Sequence, residues 1–502
     1  MDDAQAVSLS GDLEAELVAW LGGASDRTID TACAHVFLRP DNALKIKRHD
    51  DLGYVDFSTA ERRQWALQRE LEFNRPAAPD IYRAVRRITR EADGSLAIDG
   101  QGETVDHLLE MRRFDEDAVL AARPETVDGA LAELLGRTIA GFHAAAPLRP
   151  AGGLTALSWT IGSNAGLLRE IPALDQGRVE EMIALTEAAL ERQAPLLAHR
   201  SAAGFARRCH GDLHLGNILL EHGHPVLFDC IEFSDLLTDL DVFYDLAFLI
   251  MDLDFRGRRD AGVRALSAYM DEASRSFPAE LWDGLAALPL MLATRAAVRA
   301  HVSAHSGDPE AARAYVEAAI AHLAPPPPVL AAVGGLSGSG KSRFSRGIAP
   351  ALGASPGAVI LRTDEVRKRL MDAQPLQRLS SEAYTAEINA RTYDTLFDNA
   401  RALLKAGRAV VLDATFLDPA LRGRAEALAA DCGVPFHGAW LDAPIEVLEA
   451  RVAGRTGDAS DATVAVLHDQ AARLAAQAVA WPKVDTQAPK DAAAKAWLAA
   501  RA

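Results

Sequence analysis

Two stretches of this chain gather polar side chains at the mouth of apolar runs, and the first combines groups that could handle a phosphate. "HGDLHLGNILL", residues 210–220, sets Asp212 and Asn217 five apart, flanked by His210 and His214, and a further aspartate, Asp229, closes the apolar run "PVLFD". Phosphoryl transfer asks for a carboxylate within hydrogen-bond reach of the attacking hydroxyl and for hard oxygen ligands on Mg²⁺ a few ångströms away. A tight loop between short strands can present both.

The second stretch is "GGLSGSGKS", residues 334–342. Gly335, Ser337, Gly338, Ser339, Gly340, Lys341 and Ser342 fit G-x-x-x-x-G-K-[ST] without a mismatch, directly after the apolar "VLAAV" and before a helix-like stretch. In that strand-loop-helix setting the backbone N–H groups wrap phosphates, Lys341 reaches the β and γ oxygens, and Ser342 ligates Mg²⁺. Downstream, "AVILRTDEVRKRL" brings a strand to Asp364, and a resemblance to small P-loop kinases implies an acceptor-side carboxylate there with an arginine, here Arg367, nearby; "AVVLDATF" ends a strand at Asp413, a position able to bind magnesium through water. Arg451 and Arg455 are four apart, hence on one helix face, and could neutralise a transferring phosphoryl group as lid arginines. Arg422 and Arg424 are further acceptor-side candidates.

The order Asp212, Asn217, Asp229 is that of the protein-kinase signature H-R-D-L-x-x-x-N followed by D-F-G. "HGDLHLGN" with "LFDCIEF" closely resembles the aminoglycoside phosphotransferase-like kinases, and the resemblance extends over most of residues 30–320. It implies a two-lobed protein-kinase fold and ATP-dependent phosphorylation of small-molecule hydroxyls. By that resemblance Asp212 is the catalytic base and Asn217 and Asp229 are the magnesium ligands. His210 and His214 brace the loop, and Asp239, Asp241 and Asp245 are structural. Such a site also needs a lysine for the α and β phosphates and a glutamate to hold it. "Ala43-Leu-Lys45-Ile-Lys47" offers two lysines on one strand face, Lys45 favoured by analogy and Lys47 still open. Glu70 is the candidate partner, Glu72 pointing to another helix face, and "EMRRF" at 110–114 falls where an adenine-contacting hinge would lie. The pattern over 329–480 resembles the small P-loop kinases that include gluconate kinase, polynucleotide kinase 5′ domains and zeta toxins, which implies a doubly wound parallel sheet.

Positioning these groups takes more than one domain, and 502 residues are too many for a single ordinary core. "AHLAPPPPVL" marks the division, since four consecutive prolines cannot continue a helix. The expectation is an α+β two-lobed protein-kinase-like domain over residues 1–324, a proline linker at 325–328, and an α/β P-loop domain over 329–502. Before the linker, "HVFLRPDNALKIKR" reads as a hairpin, and "STAERRQWALQRELEFNR" as a helix opened by a capping box at Ser58 and Glu61. Residues 117–320 are mostly of helical period.

Composition narrows the partners. Residues 1–325 carry 32 Lys+Arg against 51 Asp+Glu, and residues 326–502 carry 21 against 19. The acidic front disfavours nucleic acid, and the near-neutral back lacks a dense basic stripe; the small hydroxylated molecule expected as acceptor is what the resemblance implies. The longest apolar stretch, "GLAALPLMLA", is short and broken by Pro289, so no membrane span is expected. The four cysteines show no metal-ligand spacing, and with an acidic start they point to a reduced, cytoplasmic protein. No feature sets the oligomeric state. The reading is a fused double kinase using ATP and Mg²⁺ at both sites. Its rivals are one active domain gated by a nucleotide sensor, and a polynucleotide 5′-hydroxyl kinase in the back half.

Overall fold

The computed structural model describes residues 3–31, 33–51, 55–454, 460–475, 477–487 and 491–501. Contacts gather the chain into two units, one of Met1–Thr126 with Arg207–Leu240, the other of Val127–Ala206 with Asp241–Ala502.

The first unit is built on a six-stranded sheet in the order Arg27–Asp30, Ala34–Leu38, Asn42–Lys47, Glu103–Arg112, Tyr82–Arg90, Leu96–Ile98. The expected hairpin forms, with Ala34 opposite Lys47 and Leu38 opposite Ala43. Side-chain alternation along Asn42–Lys47 then assigns the faces. Leu44 and Ile46 join Leu17 and Leu21 of the helix Asp3–Gly22 in one core. Lys45 and Lys47 turn to the opposite face, toward the helix Ala60–Asn74. That helix packs Leu67 and Leu71 against Leu109 of the sheet and Leu219 of the hairpin Ile218–Glu221/His224–Leu227. Its cap lies one residue later than the sequence suggests: the Thr59 side chain accepts from the Arg62 N–H, while Ser58 is drawn away by Asp56.

In the second unit, helices such as Gly129–Ala145, Gln176–Ala202, Val242–Phe255 and Arg259–Ala273 form a lobe. Val242–Phe255 is buried around nearly its whole circumference. The apolar stretch Ala279–His305 is long and apolar enough to cross a membrane, but 78% of its most apolar window is buried inside the fold. After the proline run comes a five-stranded sheet in the order Val359–Arg362, Val410–Asp413, Leu330–Gly335, Phe436–Asp442, Lys483–Asp485, each neighbouring pair parallel. All-parallel strands need both faces covered, and Leu330–Gly335, Val359–Arg362 and Val410–Asp413 are buried at every residue.

The compact units therefore do not part at residues 325–328. Val263, from the helical lobe, sits in the core cluster of the parallel-sheet domain beside Val333, Ile348 and Trp497. Arg259 donates to the Pro356 and Gly353 carbonyls at 2.8 and 3.1 Å, and Arg275 to the Ala373 carbonyl at 2.8 Å. An apolar contact with charged groups capping carbonyls around it is a packed seam, and a spacer of prolines in the sequence says nothing about it.

Candidate active sites

In the first unit the loop after Cys209 turns at Gly211, whose φ of +87° and an added Cβ's 2.6 Å approach to the Leu237 carbonyl leave room for glycine alone. Asp212 follows with its side chain 37% exposed. Asn217 donates its amide to the Asp212 carboxylate and carbonyl, both at 2.9 Å, so the oxygen is the atom it can offer a cation. His210, fully buried, bonds the Phe228 carbonyl through Nε2 at 2.9 Å and accepts from the Asp212 N–H at 3.3 Å. His214 accepts from the Gly216 N–H at 2.9 Å. Both histidines shape the loop.

Asp229 lies in the left-handed region at φ +62°, its N–H donating to the Tyr82 hydroxyl at 3.0 Å. The next residue, Cys230, donates to Asn74 at 2.7 Å, which ties the aspartate's loop to the end of the Ala60–Asn74 helix. One turn earlier on that helix, the fully buried Glu70 takes Lys45 on one oxygen at 2.6 Å and Lys47 on the other at 2.8 Å. The two lysines differ in their second partner. Lys45 extends to Asp229 at 3.3 Å, whereas Lys47, 2% exposed, is closed off by Glu232 at 2.5 Å. Lys45 thus stands beside the residues that could hold a nucleotide and its metal, and Lys47 lies in the packing behind them.

Electrostatics follow this division. Burial alone would pull the Lys45 ammonium down, but Asp229 and then Glu70 overcome it and hold it well above the ordinary lysine range. Burial likewise opposes ionisation of Glu70, yet Lys45 and Lys47 bring its carboxyl down to about 2. The lysine is fully charged, and its carboxylate counterion is permanent at neutral pH. The other acidic candidates have partners of their own: Glu72 accepts from Gln68 at 3.1 Å and Asp239 faces Arg208 at 3.5 Å, while in the second unit Asp241 caps Val242–Phe255 and holds Arg200 at 2.7 Å, and Asp245 bonds His143 at 3.0 Å.

In the second unit the strand Leu330–Gly335 enters the glycine loop and the helix Lys341–Ile348 leaves it. Lys341 donates to the Gly335 and Leu336 carbonyls at 3.0 and 2.9 Å, so its ammonium lies across the mouth of the loop. Ser337 is buried and its N–H is bonded by Gln470 at 2.9 Å, while Ser339 is fully buried. Adjacent parallel strands end in register on Arg362 and Asp413. Arg362 donates to Asp413 at 3.2 Å, to Ser342 Oγ at 2.9 Å and to Glu365 at 3.1 Å. Ser342 and Asp413 thus converge on one cationic group, as oxygens that could hold Mg²⁺ must.

Asp364 opens the helix Thr363–Leu370. Burial raises its carboxyl, Asp413 adding to the effect against Arg362, Lys341 and Arg367. Arg367 donates to the Ala383 carbonyl at 2.9 Å and lies over the Tyr384 ring at 4.8 Å. Arg451 binds the Thr486 carbonyl at 2.7 Å and reaches the Gly338 carbonyl at 3.5 Å, where with Ser339, Gly340, Arg343, Phe344 and Thr486 it lines a cavity of about 240 Å³. Arg455 lies outside the described residues. Arg422 does not face an acceptor: it is buried, capping the Phe416, Leu417 and Ala478 carbonyls, and Arg424 pairs with Asp394 at the surface.

Sequence reading passed over Glu232, Arg362, Gln470 and Thr486. Glu232 and Arg362 did carry a signal, each being a charge placed in or at the end of an apolar run, which costs free energy unless a partner waits in the fold.

Residues 55–288 match the phosphotransferase enzyme family, and residues 330–477 match an AAA domain. Over 487 residues the chain is 33% identical to "Uncharacterized protein Rv2004c" of Mycobacterium tuberculosis, covering 92% of each. The adenylyl-sulfate kinase of Myxococcus xanthus is 35% identical over 119 residues, 23% of this chain and 59% of that protein. Among solved structures, a choline/ethanolamine kinase family protein from Mesorhizobium loti aligns with 63% of this chain and 93% of its own at 16% identity, with a TM-score of 0.38.

Proposed function

We propose that this chain, a member of the family of Rv2004c whose one polypeptide joins a phosphotransferase domain over residues 55–288 to a P-loop kinase domain over residues 330–477, is a bifunctional kinase. Each site transfers the γ-phosphoryl group of ATP to a hydroxyl of a small molecule in the cytoplasm. The observation that supports this most is that each unit brings together a carboxylate, a lysine and oxygens that could hold a divalent ion.

At the first site Asp212, fixed by Asn217, accepts the hydroxyl proton as the oxygen attacks. Lys45, fixed by Glu70, offers its charge to the α and β phosphates. Asn217 and Asp229 would hold Mg²⁺. At the second, the N–H groups of residues 335–342 enclose the phosphates, Lys341 turns from the Gly335 and Leu336 carbonyls to the β and γ oxygens, and Asp364 orients the acceptor. Ser342 and Asp413 would hold the ion. In both places Mg²⁺, when bound, neutralises charge on the β and γ oxygens. The proteins contribute position and fixed charge. Arg451 and Thr486 flank the cavity beside the loop, where a nucleoside fits.

A screen of hydroxylated metabolites by ADP release tests this, run on the wild type, Asp212→Asn and Lys341→Met. Each variant should lose one acceptor and keep the other, the loss for Asp212→Asn being about 10²–10⁴-fold. The seam at Val263 and Arg259 favours a second reading, in which the P-loop domain senses nucleotide for the phosphotransferase domain. It gains if Lys341→Met merely shifts the Michaelis constant of a reaction that needs Asp212.

A further inference from the structure

The strand Val359–Arg362 ends on an arginine that is 6% exposed, and its guanidinium is divided among Ser342, Asp413 and Glu365. Bonds of this kind, charged and away from water, are the strong ones. Two of the three partners, Ser342 and Asp413, are the oxygens that would also hold a divalent ion. Mg²⁺ approaches its oxygens at about 2.0–2.1 Å, and a guanidinium bonded to the same oxygens stands at about 3 Å. The two cations compete for the Ser342 oxygen and for the Asp413 carboxylate, which the ion reaches directly or through water, and they repel one another across a short, poorly screened gap.

The third partner leads elsewhere. Glu365 also faces Arg137 at 3.8 Å, and Arg137 reaches Asp271 and Glu272 at 3.2 and 3.5 Å. Asp271 in turn pairs with Arg369, on the same helix as Glu365. Arg137 and Asp271 belong to the helices Gly129–Ala145 and Arg259–Ala273 of the helical lobe. A parallel tie runs from the P-loop helix itself, where Arg346 binds Glu133 at 2.9 Å. One series of ion pairs therefore starts on the magnesium-side oxygens of the P-loop and ends inside the helical lobe.

We propose that Arg362 is a tethered cation that competes with the divalent ion at the P-loop. Loading the loop with metal and nucleotide lifts it from Ser342 and Asp413, and this slackens the Glu365, Arg137, Asp271 series that fastens the site to the helical lobe. The proposal rests on the P-loop being a nucleotide site. It gives the metal requirement of that site a built-in threshold and makes the helical lobe sensitive to whether the loop is loaded.

The test uses full-length protein carrying Lys45→Met, which removes the triphosphate contact of the first site, and a fluorescent nonhydrolysable ATP analogue titrated with MgCl₂. Adding Arg362→Met should lower the MgCl₂ concentration for half-maximal binding about tenfold, the size of one charged contact. Arg362→Lys, which keeps the charge but cannot fork, should fall between. An unchanged or higher requirement overturns the competition. Hydrogen exchange of the wild type needs no variant to fold: analogue with MgCl₂ should speed exchange in the last turn of Arg259–Ala273, and unchanged or slower exchange there overturns the coupling. Lys341→Met should abolish the fluorescence signal. If the signal survives Lys341→Met, the P-loop is not a nucleotide site and the functional reading falls with the proposal; a Lys341-dependent signal indifferent to Arg362 removes the proposal alone.

Discussion

Glu70 shows how one buried carboxylate can position two lysines and still leave them unlike. Lys45 and Lys47 share it, and the spacing of two along a strand was enough to put both on its face. Spacing could not separate their roles, because the difference comes from Asp229 and Glu232, more than 180 residues away in sequence. The same cluster sets a pH dependence. Lys45 and Lys47, overcoming burial, hold the Glu70 carboxyl at about 2, below its ordinary 4.5, whereas at Glu232 burial wins and raises the carboxyl. A depressed carboxyl stabilises the fold above its unfolded value and loses that contribution as pH falls toward the folded one; a raised carboxyl does the reverse. Urea unfolding should therefore show stability falling from about pH 4.5 toward pH 2, with Glu70→Gln flattening that part of the curve. At neutral pH the substitution should cost about 3–5 kcal/mol, since it leaves two buried ammonium groups short of countercharge. Equal acid sensitivity of the two proteins would contradict the assignment.

At the level of elements, local chemistry was well written in the sequence. Turn residues and alternation located the hairpin that carries the lysines, and the glycine loop appears between the strand and helix its motif demands. The cap at Thr59 was missed by one position because Ser58 had a nearer claimant in Asp56. The loop's geometry makes a prediction of its own. Gly338 has φ +85°, and an added Cβ would stand 2.7 Å from the Leu448 carbonyl oxygen and 3.0 Å from Val452. Gly338→Ala should cost about 1–3 kcal/mol of stability and abolish nucleotide binding at the P-loop while sparing the Asp212 reaction. Thermal melts and nucleotide binding by the variant check this, and unaltered values would mean that the loop relaxes freely.

Across the whole molecule, the two kinase-type domains were legible because each carries a short motif, but their packing was not. Four prolines announce a boundary to anyone reading along the chain, yet Val263 enters the core beyond it and Arg259 and Arg275 cap its carbonyls. Contacts of this range have no period and no spacing, so sequence patterns do not register them. The charge asymmetry was legible, with 51 Asp+Glu against 32 Lys+Arg before residue 326 and near balance after it. Within the second unit, acidic groups of the helical lobe, Glu133 and Asp271, meet arginines of the P-loop domain, Arg346 and Arg369. Whether two nucleotides bind is the point on which everything else turns. Calorimetric titration of the full-length protein with a nonhydrolysable ATP analogue and MgCl₂ measures it directly. The predicted result is two sites in the wild type and one each in Asp229→Asn and Lys341→Met; a single site in the wild type, or two surviving in either variant, would contradict it.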